Sequence, residues 1–142
     1  MTIEQFLKQA WYIRREIYRI DAEIRELRAE MFAIGSPSDM SIPAVDHSAA
    51  GDEKIINLIS AYEGLLDERT KRYYKLVAVL RDVHRVIDGV EDAKLRELLT
   101  LRYLDHMNWE GIADNMHYTW RYIYDLRLQA LEAAETIWKR PQ

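Results

Sequence analysis

Leu101-Arg102-Tyr103-Leu104, then Asn108-Trp109-Glu110-Gly111-Ile112-Ala113-Asp114-Asn115-Met116-His117-Tyr118-Thr119, then Trp120-Arg121-Tyr122-Ile123-Tyr124-Asp125-Leu126 is the stretch that decides how this chain reads. It predicts a short helix over 109–115, a turn of about four residues and a longer helix over 120–138, preceded by a helix over 92–105. Asn108 and Thr119 carry side-chain oxygens that accept from the free N–H groups of a first helical turn, so each is a natural N-cap. Ile112, Ala113 and Met116 share one face of the short helix, and Ile123, Leu126 and Ala130 share one face of the longer one. The small side chain of Ala113 allows the two helices to cross closely. Their outer faces then stay free, and the N-terminal end of the second helix is left able to enter a DNA major groove.

Upstream the rhythm changes. Ile3, Phe6, Ala10, Ile13, Ile17, Ile20, Ile24, Leu27, Met31 and Ile34 alternate steps of three and four, a heptad repeat with no Gly or Pro in it. Thr2 and Gln5 form a capping box at its start, and Gly35 with Pro37 stops it. Ile55, Ile59, Tyr62, Leu66, Arg69, Tyr73, Leu76, Leu80, Val83 and Ile87 repeat the pattern up to Gly89, with Arg69 the one charge on the seam. Between the two lies a Ser-, Gly- and Asp-rich segment, read as a flexible loop over 35–53 and mobile over 36–50, with Asp52 as N-cap of the second helix. Two heptad helices joined by such a loop predict a long antiparallel coiled-coil hairpin over 1–89, followed by a helix-turn-helix module over 90–142. Tyr62, Leu66, Tyr73 and Leu80 are expected in the hairpin core. Tyr74, Val77 and Val79 widen the stripe beyond what one partner helix covers, which predicts a homo-oligomer, a dimer first.

Composition sets the outer bounds. The 142 residues are 49% apolar and include no cysteine, so no disulfide, thiolate metal site or cysteine nucleophile is available. No apolar run approaches the roughly 18 residues that span a bilayer. Met1-Thr2-Ile3-Glu4 lacks the basic start of a signal peptide, and a cytoplasmic location without membrane contact is expected. The net charge of −4 is mild, and the segment 90–142 carries seven Lys and Arg against nine Asp and Glu. Arg69, Lys71, Arg72 and Lys75, interleaved with Tyr73 and Tyr74, read as a solvated helix face that Asp67 and Glu68 partly neutralise. His84 and Asp88 lie one turn apart but lack a third ligand, so no metal site is expected. No nucleophile–base set, phosphate loop or paired carboxylate appears, so neither an enzyme nor a bound cofactor is expected.

The quoted stretch resembles region 4 of sigma-70-type factors, whose pattern runs Leu-Arg-Tyr, then aromatic-Glu-x-Ile-Ala, then a turn and a recognition helix. Nearly the whole chain resembles small phage-encoded transcription regulators in which a helical pair and a polar loop precede that module. The resemblance implies double-stranded DNA as partner, with RNA polymerase as a further one. It implies DNA-binding residues Thr119, Trp120, Arg121, Tyr122, Tyr124, Asp125 and Arg127. Trp109, Glu110, Ile112 and Ala113 then fall on the first motif helix, Thr119 caps the second, and Trp120, Arg121, Tyr124 and Asp125 face the bases. Three positions depart from the family pattern. His117 stands where the turn usually has Gly, Gly111 where Glu is common, and Asp125 where a carboxylate is repelled by phosphate. Two other readings compete: a small terminase-like subunit that marks DNA for packaging, and a protein-interaction module that no longer binds DNA. Whichever holds, the segment 36–50 is expected to be the first cut in limited proteolysis, followed by mass spectrometry; protection equal to that of the flanking helices would refute the loop.

Overall fold

A computed structural model describes residues 1–35 and 49–141, and every regular element among them is helical. In chain order these are α1 (Ile3–Leu7), α2 (Gln9–Gly35), α3 (Ala49–Asp88), α4 (Ala93–Leu99), a π-helical turn (Thr100–Leu104), α5 (Trp109–Met116) and α6 (Trp120–Trp138). The expected mobile segment lies outside the described residues except at its end, where α3 already begins at Ala49. Asp52 therefore sits in the first turn of α3, where a carboxylate still favours the helix dipole, and is not its N-cap.

The chain forms two compact units, Ile13–Lys75 and a second made of Met1–Tyr12 with Leu76–Gln142. They divide the chain at 12/13 and 75/76.

In the unit of Ile13–Lys75, contacts between α2 and α3 run in antiparallel order. Glu16 pairs with Arg72 at 2.9 Å and Asp21 with Arg69 at 3.0 Å, while Met31 and Ile34 line one cavity with Ile55 and Leu58. The seam charge at Arg69 is thus answered from the facing helix. Ile13, Ile17 and Ile24 are buried, but Tyr62 and Leu66 are only half-buried and Tyr73 is 47% exposed. The expectation that these three are core residues is corrected. Two helices side by side enclose only their centre line, and the flanking positions stay wet. Leu80, in the other unit, is also only half-buried.

The other unit holds the principal core. Phe6 and Leu7 from α1, Val83, Val86 and Ile87 from α3, Leu95, Leu98 and Leu99 from α4, Ile112 from α5 and Ile123, Leu126 and Ala130 from α6 form one buried cluster. Phe6 stacks on Trp138 with ring centres 5.1 Å apart. The capping box at Thr2 and Gln5 is present, yet the first helix does not run unbroken. Lys8 (φ −85°, ψ −4°) interrupts it, with no Gly or Pro to mark the place. The Trp11 N–H donates to the Lys8 carbonyl at 3.0 Å, a tightened turn. That break lets Phe6 and Leu7 face the C-terminal cluster.

Gly89 follows α3, and its role is close approach. A Cβ there would lie 2.8 Å from Cγ2 of Ile137, a β-branched side chain with little freedom to move.

Leu98 is fully buried, so Leu98→Ala should lower unfolding free energy in denaturant titration by about 2–5 kcal/mol. Tyr73→Ala should cost under about 1 kcal/mol in the monomer.

Candidate nucleic-acid interface

The local structure of α5 and α6 follows from their caps. Oδ1 of Asn108 accepts from the Gly111 N–H at 2.7 Å, and the Thr119 hydroxyl accepts from the Tyr122 N–H at 3.2 Å. A Cβ at Gly111 would sit 3.0 Å from that Asn108 oxygen and 3.4 Å from Met107 Cε, so a larger residue there would have to shift these side chains by a few tenths of an ångström. His117 closes α5 in the left-handed conformation (φ 59°, ψ 40°), which glycine would adopt with less strain. Its strain is offset by hydrogen bonding, since the Tyr118 N–H donates to the Ala113 carbonyl at 3.0 Å. Ile112 and Ala113 bury against Ile123, Leu126 and Ala130, and the outer side of α6 stays open.

Trp120, Arg121, Tyr122, Tyr124 and Asp125 are all exposed. The Trp120 and Tyr124 rings stack at 5.6 Å with a 16° tilt. Arg121 has no hydrogen-bond or ion-pair partner among the described residues, and the pairing with Asp125 one turn on does not form. Tyr122 turns to the other side. Its hydroxyl accepts from Nζ of Lys94 on α4 at 2.9 Å, and that ammonium lies 5.4 and 5.6 Å from the Tyr122 and Tyr118 ring centres. The hydrogen bond to Tyr122, with the two rings beside it, raises the Lys94 pKa above the usual lysine value.

Arg127 is drawn inward. Its Nη2 lies 3.4 and 3.5 Å from the two Glu4 oxygens, and its guanidinium lies 5.7 Å from the Trp109 ring and 5.9 Å from the Tyr124 ring. Glu4 also holds Lys8 at 3.1 Å. Burial opposes the Glu4 charge, but Lys8 and Arg127 outweigh it and leave the carboxyl below its usual pKa. Arg102 lies between two indoles, 4.8 Å from Trp11 and 4.9 Å from Trp109. Rings and guanidinium groups therefore alternate from Trp11 through Arg102, Trp109 and Arg127 to Tyr124, on which Trp120 stacks. A cleft of about 260 Å³ opens among Trp109, Trp120, Ile123, Tyr124 and Arg127. Beside it, Glu110 and Asp114 add carboxylates to a shallow groove that Thr119 and Trp120 also line.

Of the seven sequence-predicted residues, Trp120, Arg121, Tyr124 and Asp125 lie on the open side of α6. Thr119 serves as cap, Tyr122 as a partner of Lys94, and Arg127 as a partner of Glu4. Sequence reasoning missed Lys94, Tyr118, Arg102 and Glu4, whose contacts span up to 123 residues of chain and leave no local signal. No group of three or more His, Asp or Glu among the described residues is placed to hold a metal, and no helix among them is long and apolar enough to cross a membrane. Compared with known proteins, the chain matches no family model, no curated protein and no solved structure.

Tyr103 lies beneath this surface, 1% exposed, and its hydroxyl has no hydrogen-bond partner among the described residues. Burial, with the Glu4 charge adding to it, pushes its pKa up to about 12. The unfolded phenol releases its proton near pH 10, below the folded value, so the stability this group contributes is intact below pH 10 and is lost as pH rises toward 12. Alkaline unfolding should therefore remove about 2–3 kcal/mol over that window. Tyr103→Phe should abolish that loss and, at pH 7, raise stability by up to about 1–3 kcal/mol through removal of an unpaired buried hydroxyl; denaturant titration at pH 7 and 11 checks both.

Proposed function

We propose that this chain is a DNA-binding transcription regulator of the kind its resemblance to sigma region 4 implies, with α5, the turn at His117 and α6 acting as a helix-turn-helix. The observation that carries the reading is the first turn of α6. Thr119 caps it, Trp120, Arg121 and Tyr124 are exposed on it, and Arg121 is a cation with no partner among the described residues. The helix dipole adds partial positive charge at the same end, which offsets part of the surrounding acidity. In this reading Arg121 meets a guanine edge or a phosphate, and the Trp120–Tyr124 stack offers a flat apolar edge to the bases. The antiparallel run of α2 and α3 serves as a coiled coil for oligomerisation, a dimer first, or for contact with a partner such as RNA polymerase. The chemistry is occupancy of a DNA site, with no covalent step.

One observation favours a second reading. Glu110 and Asp114 are exposed carboxylates on the groove that Thr119 and Trp120 also line, Asp125 is exposed one turn after Arg121, and a face so balanced suits a protein partner as well as a polyanion.

Fluorescence anisotropy with duplexes selected from fragmented DNA, at two salt concentrations, separates the two. Arg121→Ala should weaken specific binding by about 1–3 kcal/mol if the guanidinium reads a base, or should lower the salt slope by about one if it meets only phosphate. Asp125→Asn should strengthen binding to every duplex. No duplex binding by the wild-type protein, alone or with polymerase, would leave the protein-interaction reading in place.

A further inference from the structure

We infer that Glu4, on the N-terminal helix, is a positioning residue for the DNA-facing side of α6, and that it acts by holding Arg127. The inference rests on the DNA-binding reading above. Arg127 stands seven residues after Trp120 and three after Tyr124, so the three share one stripe of α6. A free arginine there would extend toward phosphate. Instead both oxygens of Glu4 face its Nη2, and its guanidinium lies across Trp109 and Tyr124. Arg127 is one quarter exposed and its Nε is out of solvent without a partner, so the group is held by stacking and by this one carboxylate. The Tyr124 ring that it supports carries Trp120 in turn.

Two consequences follow from the charges. With Glu4 beside it, a carboxylate it shares with Lys8, part of the Arg127 charge is offset, so general attraction to DNA is lowered. With its guanidinium held 5.9 Å from the Tyr124 ring centre, the same residue helps to set where the exposed aromatic pair stands, so discrimination between sequences is sharpened. Glu4 exchanges a phosphate contact for a rigid reading surface. The role is not one of stability, because the Glu4–Arg127 contact is long and partly solvated, and such pairs contribute little to folding. The capping box of α1 uses Thr2 and Gln5 and does not need the Glu4 carboxylate.

Glu4→Gln keeps the shape and removes the charge. In anisotropy titrations against one preferred and one unrelated duplex, the variant should bind the unrelated duplex more tightly, with a salt slope steeper by about one phosphate contact, while its preference for the selected duplex falls several-fold. Glu4→Gln with Arg127→Gln should lose the preference without the steeper slope, since the cation that would gain the phosphate is gone. Thermal melting monitored by circular dichroism should be nearly unchanged in Glu4→Gln, whereas a purely structural role would lower the melting temperature and both affinities together. Wild-type slope and preference in Glu4→Gln would overturn this inference and leave the DNA reading standing. Failure of the wild-type protein to bind any duplex would overturn that reading and this inference with it.

Discussion

The guanidinium of Arg102, laid between the indoles of Trp11 and Trp109, is the contact on which the C-terminal architecture turns. It joins the start of α2 to the start of α5, elements that lie far apart in the chain. Its geometry is set from two sides. Arg102 donates through Nη1 to the Met107 carbonyl at 3.0 Å, and Trp11 donates through Nε1 to the Tyr103 carbonyl at 3.1 Å. Both carbonyls belong to the irregular stretch after α4. A stacked cation of this kind is worth about 0.5–2 kcal/mol per face, comparable to a buried methylene, but it is far more directional.

The π-helical turn at Thr100–Leu104 is what makes that placement possible. The Asp105 N–H donates five residues back, to the Thr100 carbonyl at 3.0 Å, and the Met107 N–H donates to the Leu101 carbonyl. The widened turn carries one residue more than an α-helical turn would. Tyr103 is sent into the core while its neighbour Arg102 reaches out to the two indoles. The unpaired Tyr103 hydroxyl accompanies this arrangement: the phenol ring fills the core, and its oxygen is left without a partner among the described residues.

The surface that results is unusual in its balance. Aromatic rings and guanidinium groups line one side of α6, and carboxylates share the surface: Glu4 in direct contact with Arg127, Glu110 and Asp114 on the groove beside Thr119 and Trp120, and Asp125 exposed on α6 itself. Arg121 alone among the α6 arginines is left without a partner among the described residues. A charge-balanced face with flat rings favours recognition by shape and stacking over bulk electrostatic attraction.

The sequence by itself determined what depends on near neighbours. The N-caps at Thr2, Asn108 and Thr119, the helix at 120–138 and the apolar faces of Ile112 with Ala113 and of Ile123 with Leu126 were all legible, because caps and periodicity act over three or four residues. Only the tertiary structure decided the break at Lys8, the π-helical turn, the exposure of Tyr73, the union of α1 with the C-terminal cluster, and the pairs Glu4–Arg127 and Lys94–Tyr122. The sequence predicted an unbroken helix from Ile3, and packing bent it, because Phe6 and Leu7 gain more from a core contributed by the far end of the chain than a straight heptad would give them. Contacts of that range are chosen by the shape of the assembled core, and the spacing of residues along the chain carries no record of them.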